Sequence, residues 1–463
     1  MDKRTPHRII RCSSLVVIAT VLSLSLTAPA RAKVVTYHSP VAASGAPDFT
    51  VKADGKSIFV NHARVAGYAI FSCSGPVRLE VTSTGPVKSA VVRPLSLGIT
   101  PKVKGRQITF TLQKPANISV ELNGDIKRPL FVFANPLETK PPGRGDRGVI
   151  YYGPGRIHNT GLVKLKSGDT VYIAGGAIVR GAFIAENARD ITIAGRGILD
   201  GSSYHKGQRR MIEMLACTNL RISGIVIFNS GHWTVPLKKC DKVNITNLKI
   251  VNWRDWDDGI NVCGSSNVSI SNCFIRTKDD CVAIKSVHYD WMTGDGIGEV
   301  KNVTVEKSVL WNGEWGNGLE IGFETRAESI SDIVFRDNDL IHVEGSEGTF
   351  TIHNGDRARV SNVLYENIRV EDSVGYLIDF KILKSRYTKD AQRGSISNIR
   401  FKNIDVAGKV FPTSIMQGFD KTHRIEGVTF TNFRIRGKLV LNEEQLKLKK
   451  NEFVKDLHFK KTK

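Results

Sequence analysis

The sequence predicts an all-β protein: a parallel β-helix, or solenoid, preceded by a small β-sandwich. Three observations carry this expectation. Similar strand-like segments recur at intervals of 23 to 36 residues through the C-terminal two thirds. That region shows no helical apolar period. The N-terminal third instead alternates apolar and polar residues between Gly, Pro and Asn breaks, as a sandwich of short strands does. At 463 residues and 41% hydrophobic content, the chain has the size and composition of a soluble globular protein with a substantial core.

Residues 1–32 read as an export signal. A basic start (Lys3, Arg4, Arg8, Arg11) precedes the apolar LVVIATVLSLSL and then APARA, whose small residues suit cleavage near Ala32. A membrane anchor is the alternative. Twelve apolar-leaning residues fall short of the roughly 20 that a span needs. No later segment is apolar enough to cross, so the mature protein is expected to be secreted or periplasmic.

Residues 33–137 hold SIFVNHARV, RLEVTSTG, AVVRPL, QITFTLQ and ISVELNG, the period-two runs of the sandwich. ETKPPGRGDRG, residues 138–148, is a Pro/Gly-rich charged linker. Its RGD triplet follows from that composition. The stack begins at VIYYGPGRIH and spans residues 149–438. Its repeats include ARDITIAGRGILDG, TNLRISGIVIFN, DKVNITNLKIVN, SNVSISNCFIRT, KNVTVEKSVLWN, SNVLYENIRVED and EGVTFTNFRIRG. Each is a polar pair, an alternating strand, a turn and a second short strand. From Asp190 the starts fall at 219, 242, 267, 302, 332, 362, 398 and 427. Such periods mean a solenoid of about ten coils, and a propeller blade of roughly 40 residues or more fits less well. Residues beyond the bare coil of about 23 must loop out, and such loops build clefts. Residues 439–463 close the chain as a basic extension.

The formal charge is +21. Residues 1–32 hold five Lys/Arg against one Asp, a net +4, which leaves +17 for the mature chain. That surplus favours an anionic partner such as nucleic acid, a membrane surface or an acidic polysaccharide. Export argues against nucleic acid. A diffuse solvated surface plus the basic tail explains the charge equally well. Cys73, Cys217, Cys240, Cys263, Cys273 and Cys281 follow the leader. None sits in a CxxC or metal-type spacing, so buried free thiols are expected. His288, His342 and His423 stand alone. The NIS, NIT, NVS and NVT triplets look like glycosylation sequons, but most arise from the coil pattern. No phosphate-binding or dinucleotide fingerprint is present, and no cofactor or metal is implied.

The chemistry concentrates in TKDDCVAIKS. Asp279 and Asp280 repel each other, aspartate is a poor strand former, and a buried unpaired carboxylate is costly. The preceding coil carries VNWRDWDDGINV, with Asp255, Asp257 and Asp258. Asp258 lies 22 residues before Asp280, about one bare coil, so the two belong on neighbouring rungs roughly 4.8 Å apart. One coil on, WNGEWGNGLEIG supplies Glu314, Trp315, Asn317 and Glu320, once the loop VHYDWMTGDGIGE is discounted. One coil earlier, SGHWTVPLKKC supplies His232, Trp233, Lys238 and Lys239. Three clustered carboxylates cannot all stay ionised, and repulsion divides them into acid and base. An Asp/Asn ladder capping turns and a calcium site are the alternatives, the latter demanding more oxygen ligands.

DGINVCGSSNVSISNCFIRTKDDCVAIKS resembles the core signature of the polygalacturonase (pectinase) family of glycoside hydrolases. The resemblance extends through the coil grammar of residues 149 to 438. It implies a right-handed β-helix and an inverting hydrolase, with Asp279 as general acid and Asp258 and Asp280 activating water. An inverting pair needs its carboxyls roughly 6.5–9.5 Å apart. Asn317, Trp233, Lys285, Trp315, Glu320 and His353 are the substrate-binding candidates. The chain departs from the family pattern in two places. Gly316-Asn317-Gly318 replaces Gly-His-Gly. The Arg-Ile-Lys element is missing, and TFTIHNGD stands near its place with His353 as the nearest cation. Both losses touch recognition more than chemistry, so galacturonan, rhamnogalacturonan-type and other acidic glycans stay open. The dextranase/isopullulanase family also resembles this layout of sandwich plus helix and acts on neutral α-glucans. A polysaccharide lyase would need a basic residue near the aspartates, where Arg276, Lys278 and Lys285 stand. A non-catalytic adhesin has no use for stacked carboxylates.

Overall fold

The computed structural model describes residues 1–2, 32–40, 43, 45–46, 48–287 and 296–461. The expected export signal falls almost wholly on residues 3–31 and, like His288, lies outside the described residues. Among the described residues no helix is long and apolar enough to cross a membrane.

Thirty strands, from Val149–Tyr152 to Val454–Lys460, join into one stack. The pairing runs coil to coil and in parallel. Ile260–Cys263 pairs with Val282–Ser286, which pairs with Asn317–Thr325, which pairs with Gly348–Asn354. The protein is therefore the parallel β-helix that the repeats predict. All nine repeat starts, from Asp190 to Gly427, adopt left-handed backbone with φ between +52° and +70°. Asn and Asp tolerate that region because their short polar side chains bond locally. Here they also bond to the same position one coil away: Asn302 Nδ2 donates to Asn267 Oδ1 at 2.7 Å, and Asn398 Nδ2 to Asn362 Oδ1 at 2.6 Å. An Asx ladder thus exists, along a turn edge that excludes Asp258, Asp279 and Asp280.

Inward Ile, Val and Leu of successive coils form one continuous core. Aromatic residues stack within it. Phe335, Tyr365, Phe401, Phe430 and Phe459 follow one another at centroid distances of 5.1, 4.8, 5.1 and 4.8 Å. The last of these corrects an expectation. The segment read as a basic extension beyond residue 438 continues the stack, because Leu448–Lys450 and Val454–Lys460 pair in parallel with Ser414–Gln417 and Ile425–Ile435. Val454, Leu457 and Phe459 face the core while Lys455, His458 and Lys460 alternate outward, so period two hides beneath the charge.

The N-terminal strands form a six-stranded and a five-stranded sheet that enclose a core of their own. Two strands of the larger sheet, Ala66–Cys73 and Asp125–Pro136, carry apolar runs buried on both faces. Leu130 and Val132 point into the sandwich. Phe131 and Phe133 point out of it, onto Phe274 and Trp311 of the stack. A second seam contact is polar. Arg93 pairs with Glu121 at 2.9 Å and with Glu371 at 2.5 Å, and His342 Nε2 meets Glu121 at 3.0 Å. His342 is therefore a seam residue. All six described cysteines are buried and unpaired.

Candidate active site

The register places the aspartates. Val235 pairs with Ile260, Ile260 with Val282, and Val282 with Leu319. Two residues before each lie Trp233, Asp258, Asp280 and Asn317, so these four form one file across four coils. Asp279 extends beside that file, just after the strand Phe274–Thr277. One carboxylate oxygen from each of Asp258, Asp279 and Asp280 lies within 4.8 Å of the other two. This is tighter than the roughly 6.5–9.5 Å expected of an inverting pair. Chain adjacency and a single rung step set it.

The loop between coils is built by Asp257. Fully buried, it accepts backbone N–H bonds from Arg254 at 2.6 Å, Lys278 at 2.8 Å and Asp279 at 3.1 Å. Burial pushes its carboxyl up to about 7 against those three bonds. This cap ties both aspartate-bearing turns together. Gly316 completes the fit at φ +66°. A Cβ there would stand 2.4 Å from Asp279 Oδ1 and 2.5 Å from Asp280 N. Gly316→Ala is expected to push the aspartate pair aside and lower kcat by about 10-fold or more, since roughly 1 Å misplacements carry losses of that order and above. Steady-state kinetics on a soluble polymer check this, and unchanged kcat would contradict it.

The three carboxylates differ in their partners. Lys285 Nζ lies 3.1 Å from Asp258, 3.6 Å from Asp280 and 3.9 Å from Glu324. Asn261 donates to Asp258 at 2.7 Å. Asp280 Oδ1 accepts from both the backbone N–H and Nδ2 of Asn317, at 2.8 and 3.1 Å. Among the described residues, Asp279 accepts only the N–H of Asp280, at 3.1 Å. Burial first, and then repulsion from Asp258, holds Asp279 well above the carboxylate range. Burial raises Asp280 as well, with Lys285 opposing. Donors to a carboxylate favour its charged form, and Asp280 has more of them than Asp279. Despite burial, Lys285 is held well above its ordinary value by the surrounding acids, Asp258 foremost.

A cleft of about 400 Å³ opens over these groups. Trp233, Lys285 and Trp315 line it, together with Lys206, His232, Trp256, Phe323, Glu324, Glu347 and the loop residues Arg386 and Tyr387. Trp256 and Trp315 are 46% and 53% exposed, wide apolar faces at the mouth. The other expected binding residues lie beneath the surface. Asn317 is buried and spends its amide on Asp280, Glu347 and the N–H of Gly348. His353 is buried between Glu320 at 3.1 Å and Asp379 at 3.3 Å. Despite burial, those two carboxylates push its imidazole up to about 10. Its ring stacks at 4.3 Å on that of Phe323, which lines the cleft. Lys238 is fully buried against Glu213 at 2.6 Å. Arg276 is buried with its guanidinium 3.5 Å from the centre of Trp253. Of the residues that the sequence did not single out, Trp256 could have been found from its place in WRDWDDG. Tyr387 lies in an irregular loop with no repeat signal.

Residues 159–452 match the family model for glycosyl hydrolases family 28. Among curated proteins, Polygalacturonase QRT2 of Arabidopsis thaliana is 25% identical over 291 residues, covering 50% of this chain and 64% of that protein. Probable rhamnogalacturonase A of Aspergillus niger is 26% identical over 277 residues, covering 56% and 58%. The chain thus spans less than two thirds of either relative. Among solved structures, Dex49A from Penicillium minioluteum superposes with a TM-score of 0.71 at 15% identity, over 91% of this chain and 96% of that one. A hyperthermoactive exopolygalacturonase from Thermotoga maritima gives 0.55 at 16% identity, over 67% and 84%. These two likenesses concern the fold. The family match runs through every coil that carries the carboxylates, and the chain belongs to glycosyl hydrolases family 28.

Proposed function

We propose that the protein is a secreted glycoside hydrolase that cleaves a polysaccharide with inversion, using Asp279 as general acid and Asp258 with Asp280 as the base. The observation that carries this reading is the unequal partnering of three adjacent carboxylates. Two share one ammonium, and among the described residues the third has no cation of its own within 4 Å. Asp279 gives its proton to the glycosidic oxygen as the bond to the anomeric carbon breaks. Water held between Asp258 and Asp280 attacks that carbon from the other face and loses its proton to them. Trp256, Trp315 and Tyr387 offer the flat apolar surfaces that sugar rings stack on.

A lyase would need a neutral base beside the uronate. Lys285 is held protonated by its acids, and Arg276 lies buried between tryptophans. Both speak for hydrolysis. Net charge and the names of the relatives support an acidic, pectin-like substrate. One observation favours a second reading, a neutral α-glucan: Asp255, Asp258, Asp279, Asp280, Glu324 and Glu347 line the cleft against only Lys206, Lys285 and Arg386. Incubation with galacturonan, rhamnogalacturonan, sulfated galactan and α-glucan tests both. New reducing ends without an ultraviolet-absorbing product are expected from an acidic polymer. Faster release from α-glucan would transfer the assignment to the second reading, and an unsaturated product would overturn hydrolysis.

A further inference from the structure

The cleft continues beyond its carboxylates. Lys206 and Asp255 belong also to a second hollow, whose wall includes Arg64, Arg254 and Lys278. Arg64 and Arg254 in turn line the next hollow, beside Phe228, in the seam between sandwich and stack. Charge reverses along this path. Six carboxylates face three Lys/Arg in the cleft, whereas Arg64, Lys206, Arg254 and Lys278 face one carboxylate, Asp255, in the second hollow. Lys206 and Lys278 share that carboxylate at 2.6 and 2.8 Å.

Arg64 stands at the turn between the strands Val60–Ala63 and Ala66–Cys73. It is exposed, and among the described residues no carboxylate pairs with it within 4 Å. Arg254 is held in place: its guanidinium donates to Tyr204 O at 2.7 Å and its backbone N–H to Asp257 at 2.6 Å. Burial lowers Arg254, Asp200 and Asp257 oppose it, and the Arg64 guanidinium adds a smaller push in the same direction as burial. Arg64 and Arg254 line the same two hollows, and two guanidiniums on one wall suit a planar or tetrahedral anion.

We propose that this seam is a binding track for the anionic part of a glycan, carboxylated or sulfated, with Arg64 and Arg254 as its recognition residues. The sandwich then takes part in substrate binding, at sugar units beyond the cleavage point. The placement along a polymer rests on the hydrolase reading above, but the binding is tested without turnover. The full chain carrying Asp279→Asn is titrated calorimetrically with short and long oligogalacturonates, a sulfated galactan oligomer and a neutral glucan oligomer. Long acidic oligomers are expected to bind tighter than short ones. Arg64→Glu should weaken the long acidic ligands about tenfold, equivalent to about 1.4 kcal/mol, and the loss should shrink in high salt. Arg64→Lys should restore most of it. Arg189→Glu makes the same charge change at an exposed site outside the groove and should leave binding unaltered. Preference for the sulfated over the carboxylated oligomer, or the reverse, identifies which acid the track takes. Equal weakening by Arg64→Glu and Arg189→Glu would overturn the track in favour of diffuse charge, as would neutral oligomers binding as tightly as acidic ones. Failure of the unmodified protein to cleave any polymer would sink the hydrolase reading and leave this binding result standing.

Discussion

Asp279→Asn is expected to lower kcat by about 10²–10⁴-fold, the range for loss of a general acid, while the protein folds and melts at or above the wild-type temperature. The amide keeps the oxygen that accepts the Asp280 N–H at 3.1 Å but cannot give a proton to a leaving group. Stability follows from the raised carboxyl. A carboxyl held above its unfolded value of about 3.9 contributes stability fully present below that value and lost as pH rises through the folded one. The wild type therefore carries a liability at neutral pH that the amide removes. The gain in melting temperature should be larger at neutral pH than in acid. Melts at both pH values, with reducing-end assays, check both halves. Full activity in this variant would remove Asp279 from its role.

Lys285→Met should have the larger structural effect. It leaves Asp258, Asp280 and Glu324, all buried, without the ammonium that lies within 4 Å of each. Breaking a buried ion pair by removing one partner costs roughly 3–5 kcal/mol. The bereaved acids respond by taking up protons. Asp280 and Glu324 are already raised by burial with Lys285 opposing, so its loss raises them further. The sign is as above: raised carboxyls destabilise the fold as pH rises, so the variant should lose most stability above neutrality and recover part of it in acid. Activity should fall throughout, because a protonated base accepts no proton from water. Denaturant unfolding at several pH values tests this, and a small, pH-independent loss would contradict the shared-cation account.

The legible parts of this molecule are those set by periodicity. Asx residues were readable at seven of the nine repeat starts because left-handed backbone selects them, with Lys242 and Gly427 at the other two. The offset of 22 residues placed Asp258 beside Asp280, and it is the ladder offset between Ile260 and Val282. Partners from other coils were not legible. Glu320 and His353 each look like a lone charge in sequence, and they become a buried pair because Glu320 and Thr351 share a rung. Asn317 stands where a substrate ligand was expected, yet it lies one coil on from Asp280 in the same file and donates its amide there. In the final coil the many lysines of KLKKNEFVKDLHFKKTK obscure the alternation of Leu457 and Phe459 with charged neighbours. The docked seam had a signal in LFVFA, residues 130–134, whose unbroken apolar run means burial on both faces.

Time-resolved proton NMR of the first reducing ends released from a cleaved polymer tests the central claim most directly. Asp279 as acid, with water held by Asp258 and Asp280, predicts that the newly formed anomeric centre appears first in the configuration opposite to that of the bond cleaved. Mutarotation should then scramble it. Initial release with retained configuration would mean that one of these closely set carboxylates attacks the sugar itself, and would contradict the account.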